Sequence, residues 1–240
     1  MNISDIQGNL SHKFSSRQNE LFALLSVFTV ASIIGVMLSA TLFFTIILRS
    51  QLRTGSGILI AHHQLLHVLQ TGISNPFYIV TGWAVWMGVS IAGIDCTVMY
   101  FVCQVIICTE TWSSLFLAVN RFIALIYPHQ YSHIASNKAV GYFIISAWCI
   151  SAAINLPGLL GIGSLFGFRE VDCGFVRVTN LHLLNAVATL GVYLPLALQG
   201  VAYGIILANH CRKDEETRAA VSHKKRFILF RLLLGSYLWY

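Results

Sequence analysis

Long apolar stretches alternate with short polar ones along the whole chain. Leu21–Leu48 contains no charged residue and is too long for the core of a cleaved leader, so it reads as a first membrane-crossing helix. Four further apolar segments follow, at Ile58–Ile79, Cys96–Ile126, Ala139–Ile162 and Leu181–Leu207. A sixth begins near Phe227 and reaches Tyr240, a 14-residue stretch that also carries Arg231 and is too short for a secure crossing. Backbone polar groups in lipid must be satisfied within the segment, and runs of this length far exceed a barrel strand, so the spans are predicted to be helices. Residues 1–20 are expected to form an outer tail and 21–240 the membrane domain.

Composition supports this reading. The 240 residues are 56% apolar and 10% charged, against roughly 25% charged in a soluble domain, which excludes a water-soluble enzyme or a nucleic-acid-binding domain despite the net charge of +6. Where the charges lie matters more than their sum. With the N-terminus outside, ten basic residues face the cytoplasm, among them Arg49, Arg53, Arg121, Lys138 and the run from Arg212 to Arg226. Only Lys13, Arg17, Arg169 and Arg177 then face outward, which orients the chain. Asn2 and Asn9 each open a glycosylation sequon that requires the tail to be translocated.

The end of the third span carries the most informative pattern. Asn120-Arg121-Phe122 is followed by Pro128, seven residues after the Arg, and by Tyr131, ten after it. Cys96 stands 25 residues before Arg121, Trp148 lies in the fourth span, and Pro195 and Tyr203 lie eight residues apart in the fifth. In order and spacing these residues resemble the rhodopsin-like seven-helix G-protein-coupled receptors. Ser56-Gly57-Ile58-Leu59 with Gln64, Ser114-Leu115-Phe116 and Asn120 to Ala124 are similar, more narrowly, to the class X serpentine chemoreceptors of nematodes.

The resemblance implies an all-α, rhodopsin-like seven-helix bundle, here with five complete helices, a sixth begun near Lys224 and no seventh. The sequence is therefore expected to be a fragment, a truncated gene model or a degraded product. It implies a plasma-membrane receptor, of sensory-neuron cilia by the same resemblance, binding a small molecule or peptide and signalling through a heterotrimeric G protein. It needs no cofactor. The resemblance also implies a Cys96–Cys173 disulfide over the mouth of the bundle, although each thiol could instead be free. Trp148 and Pro195 become markers of the helix core, while Asn120, Arg121, Phe122, Pro128, Tyr131 and Tyr203 become the coupling region. By position, the ligand pocket would be lined by Tyr78, Cys103, Gln104, Ile107, Cys108, Val187 and Gly191. None of these is acidic, so a neutral, fairly apolar ligand fits better than an amine.

Arg121 alone could be an ordinary snorkelling anchor, and the family spacing is what favours a coupling role. Asn120 departs from the Asp common in such receptors, so the usual intrahelical ion pair is absent and the resting lock should be looser. His67 and Glu110 fall at the positions of the family's internal sodium site. A carboxylate at that depth is costly, so the two either pair with each other, displacing sodium, or each find a separate polar neighbour.

The histidines support a rival reading. His62, His63 and His67, with His129 and His133, resemble the boxes of membrane di-iron enzymes, but no third box or carboxylate set accompanies them. A small transporter is the other alternative, for which a repeat or broken helices would be expected.

Overall fold

The computed structural model describes residues 3–49, 55–89, 95–127, 131, 136–162, 164–169, 172–178 and 180–216, with side chains at 19–49, 55–89, 95–127, 131, 136–162 and 180–209. Pro128, His129, His133 and the apolar run from Phe227 lie outside the described residues, as does Asn2.

Five helical spans follow one another. Helix α1 is Ile3–Leu48. Helix α2 is built from Gly55–Leu69, a π turn at Gln70–Ser74, and Asn75–Met87. Helix α3 is Cys96–Ile126 and α4 is Asn137–Leu159. Helix α5 comprises Leu181–Ala188, a π turn at Thr189–Tyr193, and Leu194–Glu216. At one end of the bundle, the hairpin or outer end as opposed to the inner one, α4 and α5 are joined by an antiparallel hairpin of β1, Ser164–Arg169, and β2, Asp172–Val178, in which Phe168 is opposite Cys173. This hairpin has no counterpart in the apolar pattern.

The spans match the apolar runs, but caps decide where helices stop. Asp95 accepts hydrogen bonds from the amides of Thr97 and Val98 and opens α3 at Cys96, where the apolar run also begins. Ser136 and Asn180 cap α4 and α5 in the same way. Gly88, at φ +66°, closes α2, so that helix runs to Met87 and not Ile79. Helix α5 continues past the apolar limit at Leu207 to Glu216. The amide of Gly55, at the start of α2, is capped from another helix by Asn137 Oδ1 at 3.2 Å.

Helix α3 is the hub. Two-thirds of its apolar window is buried, against 11% for α1 and 22% for each of α4 and α5, and it packs on α2, α4 and α5. Its buried face is rich in small residues, Thr109, Thr111, Ser113, Ser114 and Ala118, and meets Ala147 and Ser151 of α4, also buried. Small residues let helix backbones approach where lipid supplies no hydrophobic drive between helices. Among the described residues, helix α1 packs chiefly on α2 and presents Leu24, Val27, Val30 and Met37 away from the bundle, as a surface meeting hydrocarbon does. Phe22, Trp83 and Trp86 cluster at the outer ends of these two helices.

Both π turns have one cause. Pro76 and Pro195 lack an N–H, and their rings would crowd the carbonyl one turn earlier. In each case the residue just before the proline donates five residues back, Asn75 to the Gln70 carbonyl and Leu194 to the Thr189 carbonyl, which widens the turn. Carbonyls deprived of the proline's donor find one on a neighbouring helix. Ser32 of α1 donates to Thr71 O at 3.1 Å, and Cys108 of α3 donates to Gly191 O at 3.6 Å.

Candidate functional site

At the inner end of α3, Asn120 is buried and its Oδ1 has no hydrogen-bond partner among the described residues. The adjacent Arg121 donates from Nη1 to the hydroxyl of Tyr203 on α5 at 3.2 Å. Two residues singled out at separate points of the sequence thus meet across the bundle. Phe122 lies edge-on to Tyr127 with ring centroids 6.4 Å apart. The Tyr131 amide donates to the Tyr127 carbonyl, continuing the chain from α3.

One turn to three turns deeper, the interior is polar. His67 Nδ1 lies 2.8 Å from Glu110 Oε1, and the ring of His63 stands edge-on to His67 at 4.6 Å. His62 faces another direction. Its Nε2 accepts from the indole N–H of Trp148 at 3.1 Å, and its Nδ1 lies 3.1 Å from Ser113 Oγ. An indole nitrogen can only donate, so Nε2 is unprotonated and the proton of a neutral ring sits on Nδ1, directed at Ser113. Trp148 is therefore more than a packing marker: it joins α4 to α2 and, through His62, to α3. A further link, Ser114 Oγ to Gln199 Oε1 at 3.0 Å, joins α3 to α5 below the π turn. Neither His62–Trp148 nor Ser114–Gln199 was expected as a pair. The available signal was only that polar groups within an apolar span must find partners.

Of the histidine boxes, His62, His63 and His67 are among the described residues, and His129 and His133 are not. Both ring nitrogens of His62 are engaged, and among the described residues no group of three or more His, Cys, Asp or Glu is arranged to hold a metal.

The outer half carries the residues assigned to ligand. Cys96 is buried at the first turn of α3 and is disulfide-bonded, whereas Cys103, Cys108 and Cys149 are free thiols. The hairpin packs against the outer parts of α2, α3 and α4; the side chain of Cys173 lies outside those described. Gln104 Nε2 donates to Tyr78 OH at 3.5 Å. Gly191 permits the close approach of α5, because a Cβ there would lie 3.3 Å from Cys108 Sγ. This contact closes the space between α3 and α5 at the π turn, and the open space lies beside it, among α3, α4 and the outer part of α5. Gln104 and Val187 line that cavity; Tyr78, Cys103, Ile107, Cys108 and Gly191 do not.

Comparison with known proteins bears on the whole arrangement. Residues 39–236 match the family described as 7 transmembrane receptor (rhodopsin family). The chain is 24% identical to the neuropeptide S receptor of Macaca mulatta over 53% of its length and 35% of that receptor. It is 20% identical to the Gq-coupled rhodopsin of Mizuhopecten yessoensis over 78% of its length and 38% of that protein. It is also 22% identical to the human olfactory receptor 10AG1, over 82% of its length and 69% of the relative. The chain thus spans little more than a third of the first two relatives. Five helices in this order packed around α3, with Arg121 at its inner end and a match across most of the sequence, place the chain in the rhodopsin family of seven-transmembrane receptors.

Proposed function

We propose that the receptor to which this chain belongs is a chemosensory G-protein-coupled receptor of the plasma membrane, of the class X serpentine type and resident in sensory cilia. The observation that carries the coupling role is the Arg121–Tyr203 hydrogen bond. It joins α3 and α5 at the end of the bundle toward which α5 runs on to Glu216 through Arg212 and Lys213, a basic end suited to an intracellular protein. In this reading the N-terminus is outside, Asn2 and Asn9 carry glycans, and the disulfide of Cys96 runs to Cys173 and ties the hairpin over the bundle. Relatives named as olfactory, peptide and light receptors do not choose the ligand. The interior favours a small neutral one, since no residue assigned to the pocket is acidic and Glu110 lies against His67. That pair takes the place of an internal sodium ion, so agonist affinity should be insensitive to sodium.

The test uses the complete receptor in cells, with calcium and cyclic-nucleotide readouts against a panel of neutral odorants. A response abolished by Arg121→Ala at unchanged surface level is expected. Tracer uptake without any G-protein response would instead indicate a transporter.

A further inference from the structure

Among the described residues, the outer part of α5, Leu181–Ala188, packs less closely on α3 and α4 than its π turn does. The result is a wedge of open space among α3, α4 and the outer part of α5, beside the Cys108–Gly191 contact. Its walls include Tyr100 and Gln104 of α3, Asn155 and Gly158 of α4, and Leu184 and Val187 of α5.

Three observations limit what could fill it. No Asp, Glu, Lys, Arg or His lines the wedge, so a charged group would be buried without a partner. The enclosed part measures about 40 Å³, room for a few water-sized groups and no more. The rim is apolar: Ile162, which lines the wedge, is 56% exposed and so brings it to the surface of the bundle. Inside, Gln104 uses one amide hydrogen on Tyr78 and keeps its second hydrogen and its oxygen.

We propose that this wedge receives the head group of a neutral, single-tailed amphiphile arriving sideways from the bilayer, with Gln104 bonding a hydroxyl or carbonyl and the aliphatic tail lying along the outer faces of α4 and α5. The inference deepens the receptor reading and rests on it for any signalling consequence. Size confines the head to a small polar group, while the apolar rim gives the tail surroundings equivalent to lipid.

Gly158 provides the variant for a test. A Cβ there meets nothing within 4 Å, so Gly158→Phe starts from open space and crowds the wedge, and Gly141, equally open to a Cβ on the same helix, supplies a matched control. The complete receptor in phosphatidylcholine nanodiscs is photolabelled with a diazirine-bearing decanol and mapped by mass spectrometry. Adducts are expected on residues 154–162 and 183–187, competed by plain decanol, reduced about tenfold by Gly158→Phe and unchanged by Gly141→Phe. Adducts spread over the α1 face, indifferent to competitor and to Gly158→Phe, would show partition into lipid only and overturn the site. The odorant panel separates the two ideas. If panel members activate the receptor while Gly158→Phe alters neither labelling nor potency, the wedge is wrong and the receptor reading stands; specific labelling with no activation by any member does the reverse.

Discussion

Arg121 has no carboxylate beside it in sequence, and its guanidinium reaches across to the neutral hydroxyl of Tyr203. A hydrogen bond to a charged donor is worth roughly 1.5–3 kcal/mol. A carboxylate about 4 Å away at an effective dielectric constant near 20 would attract the same cation by roughly 4 kcal/mol. Asn120→Asp should therefore draw Arg121 off Tyr203 and lower agonist-independent G-protein activation severalfold in the complete receptor. Basal activation that stays the same at equal surface expression would refute this. The His67–Glu110 pair obeys a different balance. Removing one partner leaves a buried polar or charged group without compensation, at roughly 3–5 kcal/mol, whereas replacing both with apolar residues is often close to neutral. His67→Leu alone should accordingly lower the thermal midpoint of the purified receptor more than His67→Leu with Glu110→Leu; a double variant worse than either single would argue that each residue has a separate role.

The two π turns show how a missing proton is managed inside a membrane span. Ser32 and Cys108 each serve a carbonyl left without its donor, and each donor comes from a different helix. Ser32→Ala should destabilise the α1–α2 pair by roughly 0.6–1.7 kcal/mol, the range for interhelical hydrogen bonds in lipid, read as a fall in the thermal midpoint in detergent. Ser32→Thr, which keeps the hydroxyl, should restore most of it. Such details also mark how far the sequence could be read. The spans were legible because each needs a long apolar run, and α3 began and ended where the pattern said. His67 and Glu110 were half legible: an ionisable group at that depth needs a partner, but the sequence left open whether the two would meet each other or separate polar neighbours. His62 with Trp148 was not, because pairing across α2 and α4 depends on helix rotation, which apolar periodicity leaves undetermined. The hairpin was not legible because its register comes from pairing within a loop that has no apolar run. That Gln104 and Val187 wall one cavity beside the Cys108–Gly191 contact was not legible either, because that contact depends on a glycine and a proline-induced turn acting together.

At the scale of the whole molecule, α3 and α5 are joined at three levels, Cys108 to Gly191, Ser114 to Gln199 and Arg121 to Tyr203, with the open wedge above the first and the proposed coupling region at the last. An event that spreads the outer end of α5 is thus connected to Arg121 through one continuous helix pair. This has functional sense only if the wedge faces outward and Arg121 inward, and the orientation can be measured. Helix α1 runs 46 residues from Ile3, roughly 69 Å at 1.5 Å per residue, against about 30 Å of hydrocarbon. Counting from Leu21, where the uncharged stretch starts, Asn9 stands roughly 18 Å beyond it. A sequon at that height is clear of the hydrocarbon, so an outward N-terminus should be glycosylated there. In the complete receptor made in animal cells, Asn9→Gln and Asn2→Gln should each remove one glycosidase-sensitive step in gel mobility, and the double variant should run as the deglycosylated protein does. A receptor that reaches the surface with neither sequon modified, and whose N-terminal epitope tag is stained only after permeabilisation, would invert the bundle and put Arg121 on the wrong side for a G protein.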